Sequence, residues 1–226
     1  MDIHYLGHSA FELNEGSISV LIDPFLTGNP KAAVAAEDLS PQAILVTHGH
    51  ADHVGDTVSI ATRTGSDVLA IVEIANELSA DGVERIHDPN LGGTISFEWG
   101  SVKLVPAWHT STTPKGTVNT PAGLIVRFAG KTVYHLGDTA LFSDLRLIGE
   151  TEGPIDVALM CIGGHYTMDR HDAVAATRLI GARQVIPCHY NTFPPIETDA
   201  QAFRSDVESG GISEVVVLAP GERHSP

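Results

Sequence analysis

The sequence predicts an α/β (α+β) fold in four layers, αββα, with two mixed β-sheets face to face between outer helices. Two observations lead there. Short stretches rich in Val, Ile and Leu recur along the chain, each closed by Gly, Pro, Asp or His, which is how strands and their turns read. Their order, a meander followed by helical segments, occurs twice, and each occurrence leaves a sheet with one face to cover, so the two sheets bury those faces against each other. With 226 residues, 42% of them hydrophobic, the chain suits one domain over 1–226, with halves of about 1–117 and 118–226.

In the first half, strands are expected at Ile3–Leu6, Ala10–Leu13, Ser19–Ile22, Ala43–Thr47, Asp67–Val72, Thr94–Phe97 and Val102–Ala107. The second half offers Leu124–Phe128, Thr132–Leu136, Val157–Cys161, Gln184–Pro187 and Glu214–Leu218. Apolar residues three and four apart, with Asp or Ser near several starts, predict helices at Asp56–Thr64, Ile74–Asp81, Leu141–Gly149, Asp172–Ile180 and Asp199–Ser209. The polar stretch around 112–122 reads as a loop between the halves.

Composition removes several function classes. Against 28 acidic side chains stand 13 basic ones, a formal charge of −15, which opposes an electrostatic grip on nucleic acid or anionic lipid. No apolar run approaches the ~20 residues that cross a bilayer, so no membrane insertion is expected. The start Met-Asp-Ile-His-Tyr has neither the basic residues nor the apolar run of a secretory signal, and a cytoplasmic protein acting on a small molecule is expected. Homo-oligomer formation stays open. The two cysteines, Cys161 and Cys188, are expected as reduced core thiols, with one bridge the alternative. Twelve histidines against four lysines need a reason.

Residues 47–53 supply it: Thr-His-Gly-His-Ala-Asp-His directly follows a strand. On an extended segment, His48 and His50 project to one side and reach one cation, while Asp52 and His53, a turn later, address a second. Clustering these groups is costly unless they are ligands; the alternative is a polar loop in which Asp52 caps a helix. Three more donors follow strands in the same way: His109, Asp138 and His189. One rim of the paired sheets would gather them. His48, His50 and His109 then form one site, Asp52, His53 and His189 a second, and Asp138 bridges. Asp138 otherwise reads as a turn residue or helix cap. Two divalent ions about 3.5–4 Å apart hold and deprotonate a water between them, so the expected reaction is hydrolysis. Zn²⁺ suits the imidazoles; Mn²⁺, Fe²⁺ and Ni²⁺ fit the same donors.

The run His48-Gly-His-Ala-Asp-His53, with His109, Gly137-Asp-Thr139 and His189, resembles the metallo-β-lactamase superfamily over nearly the whole chain. Leu21-Ile-Asp-Pro-Phe-Leu-Thr-Gly-Asn29, Tyr134-His-Leu-Gly-Asp-Thr139, Tyr166-Thr-Met168 and His189-Tyr-Asn-Thr-Phe193 resemble its branch of small metal-dependent hydrolases related to ascorbate-6-phosphate lactonase, and more distantly N-acylphosphatidylethanolamine phospholipase D. The resemblance implies the αββα fold and a dinuclear site, with hydroxide held between two metals cleaving a small ester, lactone or phosphoester. It implies no single substrate. An iron-dependent redox enzyme and a non-catalytic metal-binding module are the alternatives. The first is opposed by His50, where di-iron oxygen reductases of the fold carry a carboxylate, and the second by the complete ligand set.

Asp52 is expected to orient the attacking hydroxide. His165, in the glycine-rich loop Gly163–Met168, is the candidate catalytic acid, base or oxyanion donor, or else a plain loop residue. Asp23 either orients the histidine loop or starts the Asp-Pro turn. His8 either faces the cleft or is a hydrogen-bonded strand-end residue. For His135 a buried packing or supporting role is favoured. Asp169-Arg-His-Asp172 departs from the branch pattern, so His171 receives no role, and Cys188 is expected to point away from the site.

Overall fold

A computed structural model describes all 226 residues. The first sheet opens with a meander, β1 (Asp2–Gly7), β2 (Ala10–Glu15) and β3 (Ile18–Ile22), and continues in parallel through β4 (Ala43–Leu45), β5 (Asp67–Leu69) and β6 (Ile86–His87). Between β4 and β6 run α1 (Ala51–Val54), α2 (Thr57–Thr64) and α3 (Val72–Ala80). The second sheet repeats the plan. Its meander is β7 (Thr94–Phe97), β8 (Gly100–Pro106), β9 (Ala122–Phe128) and β10 (Lys131–His135). Parallel strands β11 (Val157–Cys161), β12 (Gln184–Cys188) and β13 (Glu214–Val215) follow, separated by α5 (Arg170–Ile180) and α6 (Ala200–Ser209), with α4 (Leu145–Glu152) ahead of β11. Last, β14 (Arg223–His224) returns to pair with β1. Strand order is β14-β1-β2-β3-β4-β5-β6 in one sheet and β13-β12-β11-β10-β9-β8-β7 in the other.

The four expected layers are present. Between the sheets, Leu13, Ile22 and Leu45 belong to one core with Leu104, Val126, Leu159 and Ile186, and Ile60, Ile74 and Leu78 of α2 and α3 join it. A second core fills the space between the outer face of the later sheet and its helices, around Met160, Phe203 and Val207. Local chemistry sets the helix ends: Asp169 accepts from the amides of His171 and Asp172 at the start of α5, and Asp199 does the same for Gln201 and Ala202 on α6. Thus Asp169 caps α5 and His171 is exposed.

Several boundaries differ from expectation. The chain changes sheets between β6 and β7, over 88–93, and not at the 112–122 loop, because the β7–β8 hairpin pairs with β9. The strand expected at Ala43–Thr47 ends at Leu45, since the Thr47 amide leaves the ladder for the carboxylate of Asp23. The segment Asp67–Val72 turns into α3 at Val72, and α4 starts at Leu145 with Asp144 at its N-cap. Of Glu214–Leu218 only Glu214–Val215 is strand. The short β6, β14 and α1 carry too few residues to show a period. Both cysteines are free and buried, and no helix is long and apolar enough to cross a membrane.

Candidate metal centre

The Thr-His-Gly-His turn is shaped by two anchors. Asp23, fully buried at φ 45° at the end of β3, accepts from the Thr47 amide (2.8 Å), the Thr47 hydroxyl (2.6 Å) and His53 Nδ1 (2.7 Å). On the other side the 111–119 loop clamps Gly49, whose amide donates to Ser111 Oγ at 2.8 Å and Asn119 Oδ1 at 3.2 Å. A Cβ at Gly49 would lie 2.4 Å from Asn119 Nδ2 and 2.8 Å from Thr113 Cγ2, so any larger residue would push the clamping side chains aside. His48 and His50 therefore meet by loop geometry and not by strand alternation.

These anchors fix which ring nitrogens face inward. A carboxylate only accepts, so His53 Nδ1–H and the Thr47 hydroxyl both donate to Asp23. With its proton committed, Thr47 Oγ1 accepts from His48 Nδ1–H at 3.0 Å. The Nε2 atoms of His48 and His53 are then turned toward the cleft. The expectation that Asp23 orients the histidine loop holds, through both rings. His135 is a supporting residue: its Nε2–H donates to the Ser9 carbonyl of the facing sheet (3.0 Å), and its Nδ1 accepts from the Gly137 amide (3.0 Å), which fixes the turn before Asp138.

Donors from distant segments converge in two groups, His48, His50, His109 and Asp138 in one, and His8, Asp52, His53 and His189 in the other. Within each group the donor atoms lie within 4.8 Å of one another. Asp138, 2% exposed, stands between them. Its Oδ2 is 3.8 Å from His48 Nε2 and 3.6 Å from His109 Nε2 on one side, and 3.4 Å from His53 Nε2 and 3.1 Å from His189 Nε2 on the other. Asp138 does not cap α4, because Asp144 holds that N-cap position. Asp52 does not cap α1 either: His50 is the N-cap residue, and the Asp52 carboxylate reaches back to His8 Nε2 at 3.1 Å.

For His8 the sequence allows two readings, a cleft residue or a hydrogen-bonded strand end. Here its Nε2–H donates to Asp52 and its Nδ1 accepts from the Thr192 hydroxyl at 2.8 Å. The signal was its place just after β1, the same position after a strand that singled out His109 and His189. Burial drives the His8 ring down to about 4, which leaves it neutral with one donor and one acceptor. His189 is tied to it, for its amide donates to the His8 carbonyl at 2.8 Å. His165 lies outside both groups: it is exposed, at φ 55°, and its ring stands edge-on to Tyr166 at 4.4 Å. Cys188 is in the core.

The electrostatics are those of a preformed cation site. Burial would raise the carboxyl of Asp138, but the adjacent His189 and His53 hold it well below the usual carboxylate range. Asp52, raised by burial, is likewise held far down by His189 and His8. Burial keeps His48 well below its ordinary value. Burial would lower His53 and His189, but Asp138, joined by Asp23 at His53 and by Asp52 at His189, moves both up, His189 to about 9. Two atoms at the centre, His53 Nε2 and Asp138 Oδ1, are buried without a hydrogen-bond partner. Buried polar atoms rarely go unpaired unless a ligand completes them. His48 Nε2 and His50 Nδ1 lie 3.1 Å apart, while two donors on one zinc ion, each about 2.1 Å away, stand about 3.4 Å apart. The donor set fits a pair of divalent cations.

Comparison with known proteins agrees with this geometry. A family profile described as a beta-lactamase superfamily domain matches residues 19–190. A UPF0173 metal-dependent hydrolase of Methanopyrus kandleri is 47% identical over 229 residues, covering 99% of each chain. The solved structure of Igni18, a metallo hydrolase of Ignicoccus hospitalis, aligns with a TM-score of 0.90 at 38% identity, over 99% of this chain and 97% of its own. The diiron β-hydroxylase CmlA of Streptomyces venezuelae shares the fold at a TM-score of 0.76 and 16% identity, over 99% of this chain and 53% of its own. The same scaffold thus carries different chemistries.

Proposed function

The chain belongs to the metallo-β-lactamase superfamily and, within it, to the UPF0173 metal-dependent hydrolases, and on that premise we propose that it is a dinuclear hydrolase of small esters, lactones or phosphoesters. The observation that carries the proposal is the position of Asp138 Oδ2, within 4 Å of imidazole nitrogens from both donor groups. His48, His50 and His109 would hold one ion, Asp52, His53 and His189 the other, and Asp138 both. Zinc is the favoured metal, with manganese, iron and nickel the competitors. When bound, such a pair supplies Lewis acidity and lowers the pKa of a shared water.

The residues divide the remaining work. Asp52, braced by His8, accepts a hydrogen bond from the attacking water and turns its lone pair toward the carbonyl or phosphoryl centre. Asp23 and Thr47 keep two Nε2 lone pairs aimed inward. His165, on the exposed glycine-rich loop, is the candidate donor to the developing oxyanion.

The decisive variant is Asp138→Ala. Elemental analysis should show metal falling from two ions per chain toward one, and hydrolysis of a p-nitrophenyl ester and of bis(p-nitrophenyl) phosphate should drop at least ~100-fold. Two ions and an undiminished rate in this variant would remove the bridging role.

A further inference from the structure

A cavity of about 330 Å³ lies against the outer side of the turn that carries the donors. Its apolar walls are Phe25, Ala51, Val54 and Pro114. Ala51 stands between His50 and Asp52 in α1, so cavity and donors share one helical turn. Phe25 continues the connection, its ring edge-on to His8 at 5.7 Å. No Lys or Arg lines this space. The only charged lining residue is Asp56, whose carboxylate accepts from the amides of Leu26 (3.0 Å) and Thr27 (2.8 Å). Lys115, next to Pro114, is paired with Asp81.

Anionic substrate groups are recognised by Arg, Lys or clustered amides aimed at them. This cavity presents apolar carbon and a carboxylate instead, which repels an anion and welcomes an uncharged hydrocarbon. We infer that it receives a neutral, apolar substituent of the substrate, so that the molecule cleaved carries an uncharged hydrocarbon chain beside the scissile bond. The inference rests on the proposed hydrolase reading and narrows its substrate class.

A chain-length series tests it on the metal-loaded full chain. From p-nitrophenyl acetate through butyrate to hexanoate, kcat/KM should rise by about fourfold per methylene until the cavity is full. Hexanoate should exceed p-nitrophenyl hemisuccinate, whose substituent is of similar length but ends in a carboxylate. Thr27→Trp, at the exposed lip, should abolish the gain with chain length and leave acetate turnover and metal content unchanged. In metal-free protein, N-hexylacetamide should shift the Val54 methyl resonances, and Thr27→Trp should suppress that shift. A flat chain-length response, or a preference for the hemisuccinate, with acetate turnover and two bound ions intact would overturn the inference alone. Absence of metal binding and of all turnover would sink the hydrolase reading, and the Val54 methyl shifts would then decide whether the cavity takes an apolar guest.

Discussion

Replacing Asp23 by Asn changes one atom far from any exposed surface and should weaken both cation sites. The Thr47 backbone amide can only donate, so the Asn side chain must keep its oxygen toward that amide, where Asp23 Oδ1 accepts at 2.8 Å. Its NH₂ then takes the place of Oδ2, which lies 2.6 Å from Thr47 Oγ1 and 2.7 Å from His53 Nδ1. Every proton in the chain reverses. His53 Nδ1 becomes an acceptor, and the Thr47 hydroxyl, now accepting from Asn, donates to His48 Nδ1. Both rings are forced to carry a proton on Nε2, the atom needed for coordination, and one of these rings sits in each donor group. Loss of such a supporting bond lowers metal affinity by about 10–100-fold, or about 1.4–2.7 kcal/mol per site. Competition against a chromophoric chelator would measure both affinities, and nitrogen NMR of labelled histidine would report the tautomers. Thr47→Val separates the arms: it cuts the relay to His48 and spares the Asp23–His53 bond, so only the His48 group should weaken. If Asp23→Asn held two ions at wild-type affinity, the proton-chain argument would be wrong.

His165→Ala should leave both ions in place and reduce kcat/KM by about 100-fold, the effect of removing an oxyanion donor; metal loss, read by elemental analysis, would make His165 a ligand instead. Glu152 accepts from Lys103 and Arg127, which hold its carboxyl below the ordinary value against the raising effect of burial. A depressed carboxylate stabilises the fold above its unfolded pKa of about 4.3 and loses that contribution as pH falls through the folded value. Glu152→Gln should therefore cost about 0.5–1 kcal/mol at pH 7, and denaturant titration should find the gap from wild type narrowing between pH 5 and pH 3.

The donor set was legible because its residues share one sequence signature, a His or Asp just past a strand or in the turn that follows it. That signature holds whatever the exact register, so His48, His50, Asp52, His53, His109, Asp138 and His189 are brought together even though the strand before them stops at Leu45 and not at Thr47. The division between sheets was not legible. A hairpin such as β7–β8 reads the same wherever it pairs, and only its register with β9 assigns it to the second sheet.

The side-chain directions at the site, which pattern does not show, have a common cause in the backbone. His8, Asp23 and His189 all adopt left-handed φ values between 45° and 58°, and none is glycine. Period-based reading assumes that a residue beyond a strand continues or ends it, and has no term for a turn that reverses the side chain with strain of about 1–3 kcal/mol per residue. Such strain survives only where surrounding bonds hold it. Here the bonds are the ones that define the centre: Asp23 by Thr47 and His53, His8 by Asp52 and Thr192, and His189 by the His8 carbonyl. The left-handed turns bring His8 to Asp52 and His189 to Asp138 and set Asp23 behind the rings of His48 and His53, so the side-chain directions least readable from pattern are those the site itself dictates.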